Sequence, residues 1–225
     1  VTRGTTFRDH VPLVVLRGEM CIRRTKSIPR IVHSEVDVKF WVAALPSVDC
    51  VRPGSCPCCG APSRPIGHSL GLVGHGTRER QVRGPPFPGA ATTQSVILVR
   101  RYRCRTCGAI ITVVPRGVVQ CRHFGAGAIG ITVHGWGLER RSLDDVRRAV
   151  GGHDVEGRGW PAARRWVDAI QAGRLFGGRV RPCPPGFSRA RIAERAATTL
   201  LELGRPVADS LDPHVQVFVG AGLAA

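Results

Sequence analysis

Two short cysteine pairs constrain this chain more than any other feature. The first is Cys56-Pro57-Cys58-Cys59-Gly60 and the second is Cys104-Arg105-Thr106-Cys107-Gly108. Each is Cys-x-x-Cys followed by glycine, so each can hold two thiolates around one tight turn while the glycine eases the backbone back toward them. Together they supply four sulfurs, the closed tetrahedral set of one structural zinc, with Cys56, Cys59, Cys104 and Cys107 as ligands. The 44 residues between the pairs are long for a compact finger but suit a zinc ribbon, whose knuckles sit at the tips of separate hairpins.

Other readings of these cysteines remain. The same thiolates could hold another metal or a cluster. A disulfide framework requires an oxidising compartment, and no secretory signal peptide is visible. A thioredoxin-like motif requires one Cys-x-x-Cys near a βαβ pattern, not two followed by glycines. Cys58 lies between the expected ligands of the first knuckle and could compete for metal. Cys21, Cys50, Cys121 and Cys183 read as ordinary thiols, with Cys50 and Cys121 the foremost exceptions. Among the histidines, His75 is the candidate substitute ligand; a surface or phosphate-contacting role suits His68, His75 and His123 better.

Charge points to a polyanion. The chain carries +17 over 225 residues, and only Lys26 and Lys39 are lysines, so arginine dominates. Arginine forks suit bidentate phosphate and guanine contacts. A GC-rich genome would also enrich arginine, so its distribution says more than its number. Residues 50–124 hold 11 arginines and one acid, Glu79, a balance of +10; residues 125–187 carry +4, residues 1–49 carry +3 and residues 188–225 are neutral. A basic patch concentrated on a ribbon is an electrostatic footprint for DNA or RNA, and the bland alternative is a solvated basic surface. Arg78, Arg80, Arg100, Arg101 and Arg103 are the expected phosphate contacts. Strand alternation separates Arg100 from Arg101 and Arg103.

The pattern of elements is α+β: a small β zinc ribbon followed by a helical, helix-turn-helix-like subdomain, with irregular termini. Residues 1–31 show no periodicity and read as a poorly structured extension, in which Met20, the only methionine, is a candidate initiator. The ribbon domain is expected over 32–124. Within it, Asp37 to Ala44 reads as a short helix or strand burying Val38, Trp41, Val42 and Leu45. Ile66 to Val73 and Glu79 to Arg83 read as weak strands, and Val96 to Arg103 is the clearest strand. Ala109 to Val114 is its partner, ended by Pro115. The run from Gly84 to Ser95 reads as a loop.

The helical part is expected over 125–176. Ala126 to Leu138 is helical despite its glycines. Ser142 caps a helix through Val150, with Asp145 at the third helical position and Leu143, Val146, Ala149 and Val150 inward. Pro161 opens a second helix to about Ala172, with Trp166, Val167 and Ile170 inward and Arg164 and Arg165 outward. Two short helices with arginines at the start of the second suggest helix-turn-helix, with Arg164 and Arg165 reading bases. The connection from Gly151 to Trp160 exceeds the usual turn. Residues 177–225 read as linker, a C-terminal helix from Ser188 to Leu203 and a tail without a pattern.

These residues carry a resemblance. Cys56 to Gly60, Gly74-His75-Gly76 with Arg78 and Arg80, Val99 to Gly108, and Val114-Pro115 together resemble the N-terminal zinc-ribbon region of bacterial insertion-sequence transposases. More closely, they resemble short stand-alone proteins of unassigned function in which that ribbon precedes a helical segment. Gly159-Trp160, Arg165-Trp166 and Leu175-Phe176 also fit that segment, so the resemblance spans about residues 32–176. It implies binding to double-stranded transposon-end DNA, with a separate transposase or a second copy of the chain as partner.

Catalysis is not expected. A transposase nuclease needs three carboxylates on a large fold to hold two metals, and no acid after Arg122 ends a convincing hydrophobic strand. No phosphate-binding loop, nucleophile elbow or His-Glu-x-x-His motif is present. No apolar run approaches the ~18 residues of a membrane helix, so a cytoplasmic, nucleoid-associated location is expected. The expected function is thus DNA binding around a structural zinc. Its alternatives are a truncated or inactive transposase fragment, and a ribbon module that binds RNA or a protein.

Overall fold

The structure, a computed structural model, describes residues 30–119, 122–151, 160–208 and 210–225. The expectations for Met20, Cys21 and Cys121, for nearly all of the N-terminal extension and for most of the connection before Trp160 fall outside these residues. The described chain is mixed α+β. Its strands are β1 (Ile31–Asp37), β2 (Leu72–Gly84), β3 (Thr93–Cys104) and β4 (Ile110–Arg116). Its helices are α1 (Val38–Ala43), α2 (Ala126–Gly137), α3 (Leu143–Val150), α4 (Pro161–Gln171), α5 (Arg189–Gly204) and α6 (Pro213–Ala224).

The strands form one sheet in the order β1-β4-β3-β2. β2 and β3 are an antiparallel hairpin across the Pro-rich loop, and β3 and β4 are antiparallel across the second knuckle. β1 adds a parallel strand on β4. The segment read as helix or strand is thus both: Asp37 ends β1 and caps α1, its carboxylate accepting from the Lys39 N–H. Trp41 is buried as expected and its indole N–H donates to the Leu98 carbonyl at 2.6 Å. Val42 is 58% exposed, whereas Val38 and Leu45 are half-buried and pack against the two groups of the sheet. The expected strand from Ile66 is a turn with Ile66 fully exposed, and β2 begins only at Leu72. β4 runs through Pro115 to Arg116, which the β1 side of the sheet tolerates near its end.

The sheet is apolar on both faces, at different places. One face buries Tyr102, Cys104, Ile111 and Val113 against Trp41 and Val51. The other buries Ile97, Val99 and Val114 with Val118. A one-residue bulge at His75-Gly76 lies between these regions. Gly74 pairs with Tyr102 and Thr77 with Arg100, so β2 spends an extra residue there, and Gly76 takes the left-handed φ of 78°. Beyond the bulge every β2 side chain changes face.

The helices gather around α2, which is buried on nearly every side. An all-round apolar helix belongs at the centre of a bundle, so the glycines that weaken its propensity serve close packing. A β-carbon on Gly137 would strike the α5 backbone at Ala193 and Glu194, and one on Gly127 would strike Phe218. α3 carries its expected cap, Ser142 Oγ accepting from the Asp145 N–H at 3.1 Å; Val146 and Val150 are buried, but Ala149 is exposed. α4 buries Trp166, Val167 and Ile170 as expected, and Trp160, Trp166 and Phe124 stack edge-to-face. The stretch after Gly204 holds α6, which crosses α5 where Gly204 and Gly220 bring the two backbones together.

Candidate metal centre

The two knuckles repeat one backbone design. Gly60 N–H donates to the Cys56 carbonyl at 2.8 Å, and Gly108 N–H donates to that of Cys104 at 3.0 Å. Cys56 N–H donates to Ala61 at 2.8 Å, and Cys104 N–H to Ala109 at 2.9 Å. Both glycines are left-handed, with φ of 74° and 70°, the conformation that glycine adopts without a β-carbon penalty. The first knuckle sits on the small bridge between Ser55 and Pro62, and the second joins β3 to β4. Arg105 N–H donates to the Gly71 carbonyl at 2.8 Å, which ties the second knuckle to the chain leaving the first.

This folding brings Cys56, Cys59, Cys104 and Cys107 together, with their sulfurs all within 4.8 Å of one another. Cys56 and Cys107 Sγ are 3.7 Å apart, as are Cys59 and Cys104 Sγ. A disulfide would require about 2.05 Å. A tetrahedron with metal–sulfur bonds of about 2.3 Å has edges of about 3.8 Å, so the four sulfurs are arranged to hold a metal ion and are compatible with one zinc. Cys56 and Cys104 are buried, Cys59 and Cys107 exposed, so the set closes from the protein side and opens at its rim.

The thiols compete for charge. Burial opposes ionisation of Cys104, but N–H groups of Cys107 and Thr106 and the Cys56 and Cys107 thiols bring its pKa down to about 7. Burial pushes Cys107 well above its ordinary value, with the other three thiols adding to it. The Ala61 N–H favours a Cys59 thiolate, yet burial with Cys56 and Cys104 outweighs it and the pKa is raised. One negative charge is thus easy and four are not, unless a cation joins them.

Cys58 is half-buried and outside the ligand group; its N–H reaches Cys56 Sγ at 3.4 Å, a supporting rather than competing place. Cys50 and Cys183 also lie outside the group. His75 is exposed in the bulge and lies outside the ligand group.

The expected nucleic-acid residues are placed as follows. The bulge puts Arg78 and Arg80 opposite Val99 and Ile97, hence on the face of Arg101 and Arg103; Arg100 lies on the other face. A cleft of about 440 Å³ on the first face is lined by Arg78, Arg80, Arg122 and His123 over Val99 and Thr112. Arg80 also donates to the carbonyls of Val119 at 2.5 Å and Arg122 at 3.2 Å, and Arg100 Nε donates to Pro46 at 2.9 Å. Arg164 and Arg165 are exposed on α4, while Asp168 pairs with Arg189 at 2.8 Å.

A second group, His134, Glu139 and His214, also converges. Glu139 and His214 are 75 residues apart, and no local spacing announced them. Comparison with protein families, curated proteins and solved structures finds no match to this chain. No helix among the described residues is long and apolar enough to cross a membrane.

Proposed function

We propose that the chain is a DNA-binding protein whose recognition surface is built on a ribbon held by one structural zinc, and that it supplies no catalysis of its own. The metal reading follows from the donor set: four convergent thiolates favour zinc among common divalent ions, and a set without a vacant protein position suits a structural role. The zinc would be held by Cys56, Cys59, Cys104 and Cys107, and what it contributes is charge neutralisation and cross-linking of the two knuckles.

The observation that carries the nucleic-acid reading is the bulge at His75-Gly76. It gathers Arg78, Arg80, Arg101 and Arg103 on one face of a hairpin, beside a cleft to which Arg122 and His123 add donors. Guanidinium groups gathered on one face of a hairpin, with Arg78 and Arg103 exposed and Arg80 and Arg101 half-buried, can donate to the oxygens of a phosphate backbone. Arg80 positions the cleft wall through its two carbonyl contacts as well as lining it. Arg100, which holds Pro46 on the opposite face, supports the fold. α4 with Arg164 and Arg165 forms a helix-turn-helix-like second contact. The transposase resemblance supports duplex DNA as the polyanion and a separate transposase or a second copy as the partner.

Titration of a duplex of about 25 base pairs against the zinc-loaded protein at several salt concentrations tests this. Affinity should fall steeply with salt, at roughly 0.9 in log–log slope per phosphate contact. Replacing Arg101 and Arg103 together by Ala should flatten the slope by about two units and weaken all sequences alike. A salt-independent affinity, or preference for single-stranded RNA over every duplex, would overturn the reading.

A further inference from the structure

We propose that His134, Glu139 and His214 form a second metal site, separate from the four cysteines, that takes a zinc-class divalent cation and pins α6 onto the end of α2. This inference does not depend on the DNA-binding reading.

The residues come from three places. His134 is in the last turn of α2, and Glu139 follows that helix. The chain turns back after α2 because Leu138 and Glu139 N–H both donate to the His134 carbonyl and Arg140 adopts a left-handed φ of 57°. This lays the Glu139 carboxylate over the helix end. His214 sits in the first turn of α6, behind Pro213, where Asp212 caps the helix by accepting the His214 N–H at 2.8 Å.

The donor atoms converge. His214 Nε2 is 2.9 Å from Glu139 Oε1, and His134 Nδ1 is 3.6 Å from the same oxygen. All three ligand positions fall within 4.8 Å of one another. A tetrahedral ion with nitrogen and oxygen bonds of about 2.05 Å has ligand–ligand edges of about 3.3 Å, which lies between those two distances. Two imidazoles and one carboxylate are a donor set that zinc and similar first-row ions take with a position left over for water. The partial exposure of Glu139 and His214 leaves room for that water.

A surface ion pair between His214 and Glu139 would explain the 2.9 Å contact alone. It would not explain His134. That side chain is 7% exposed, and its Nδ1 is buried with no hydrogen-bond partner while facing the carboxylate. A buried imidazole nitrogen without a partner loses its water and gains nothing; a cation between the three groups satisfies it. Arg141, at 3.8 Å from Glu139 Oε2, holds the other carboxylate oxygen outward, the kind of outer contact that orients a ligand.

The test uses the full chain with its cysteine site loaded with one equivalent of zinc. Further Zn²⁺ is then added by calorimetric titration, with Co²⁺ as a spectroscopic probe in a parallel titration. The expected result is one more equivalent bound, and a second cobalt phase that lacks intense sulfur-to-metal absorption in the near ultraviolet. His214→Gln and Glu139→Gln should each weaken that second equivalent by more than about 100-fold, since losing even an outer partner costs 10–100-fold. Both substitutions are at partly exposed positions and should keep the wild-type helical circular dichroism. Saturation of the wild type at one equivalent would overturn the proposal, as would unchanged second-site affinity in either folded variant.

Discussion

The sheet half and the helical half of this molecule solve stability differently. In the sheet half the buried apolar residues fall into two small groups on opposite faces of four strands, and the two knuckles meet at their four sulfurs and through the hydrogen bond from Arg105 to Gly71. In the helical half one continuous group runs from Val119 to Ala224 around α2. The first gathers arginine on one face; the second ends in the neutral segment 188–225, whose two helices meet at glycine. A region that spends its surface on charge has little left for a core, and a metal held by the four sulfurs would supply what the core does not. A region that buries a whole helix has a continuous apolar core of its own, so a cation at His134, Glu139 and His214 would adjust a structure rather than make it.

Removing the metal is the strongest way to break this contrast. Cys104→Ser takes away a buried thiol of the group whose pKa is brought down to about 7. Structural zinc is worth about 10–16 kcal/mol in small domains, so the ribbon should lose its metal and its strands. The helical signal at 222 nm should remain near that of the wild type. A loss of both halves together, followed by circular dichroism and metal analysis, would show one cooperative unit instead.

The second test strikes the other half. Gly220 lies in α6, where an added β-carbon would meet the Leu200 carbonyl oxygen well inside contact distance. Helix propensity alone predicts that Gly220→Ala stabilises by about 1 kcal/mol. The crossing predicts the reverse, a loss of about 1–3 kcal/mol from overpacking. Urea unfolding followed by helical signal gives the sign, and zinc stoichiometry at the cysteines should not change.

These two halves were also unequally legible from the residues. Both knuckles, the clearest strand, the Ser142 cap and the Pro161 start rest on local rules of spacing and capping, and all appear where those rules place them. The bulge at His75-Gly76 was hidden because a glycine between polar residues does not say which partner residue is skipped. Its consequence, four arginines on one face, is a matter of register. α6 gives no helical period of its own, because Val215, Val217, Phe218 and Val219 spread apolar side chains over neighbouring positions, while its packing depends on Gly204 and Gly220 from distant positions. His134 and His214 meet only through the return of α6 to α2, which no local spacing encodes.

A smaller effect separates the two arginine surfaces. If α4 enters the major groove, Arg164→Ala should cost about 1–3 kcal/mol and relax preference at one base pair. Arg101 and Arg103 substitutions should weaken every sequence equally. Arg164 is not held by Asp168, which pairs with Arg189 at 2.8 Å, so its side chain is available. A selection from random duplexes that returns the same preferred site for Arg164→Ala, at uniformly lower affinity, would make α4 a backbone clamp like the hairpin.

The smallest effect concerns acid. The Arg189 hydrogen bond holds the Asp168 carboxyl below its ordinary value of 3.8. A depressed carboxylate contributes stability that is present above the unfolded pKa and is lost as pH falls through the folded one. The α4–α5 link should therefore persist to pH 4 and weaken only below it. Both partners are about half exposed, so screening keeps the contribution small, and Asp168→Asn should shift the melting temperature at pH 7 by no more than about 2 °C. Zinc thiolates behave differently, because protons compete for every ligand and metal leaves as pH drops. Acid titration should accordingly release zinc before it touches the helical signal, with Asp168→Asn altering only the lower transition. If the helical signal fell in step with zinc release, the Asp168 pair would be irrelevant to acid unfolding and the two halves would share one transition.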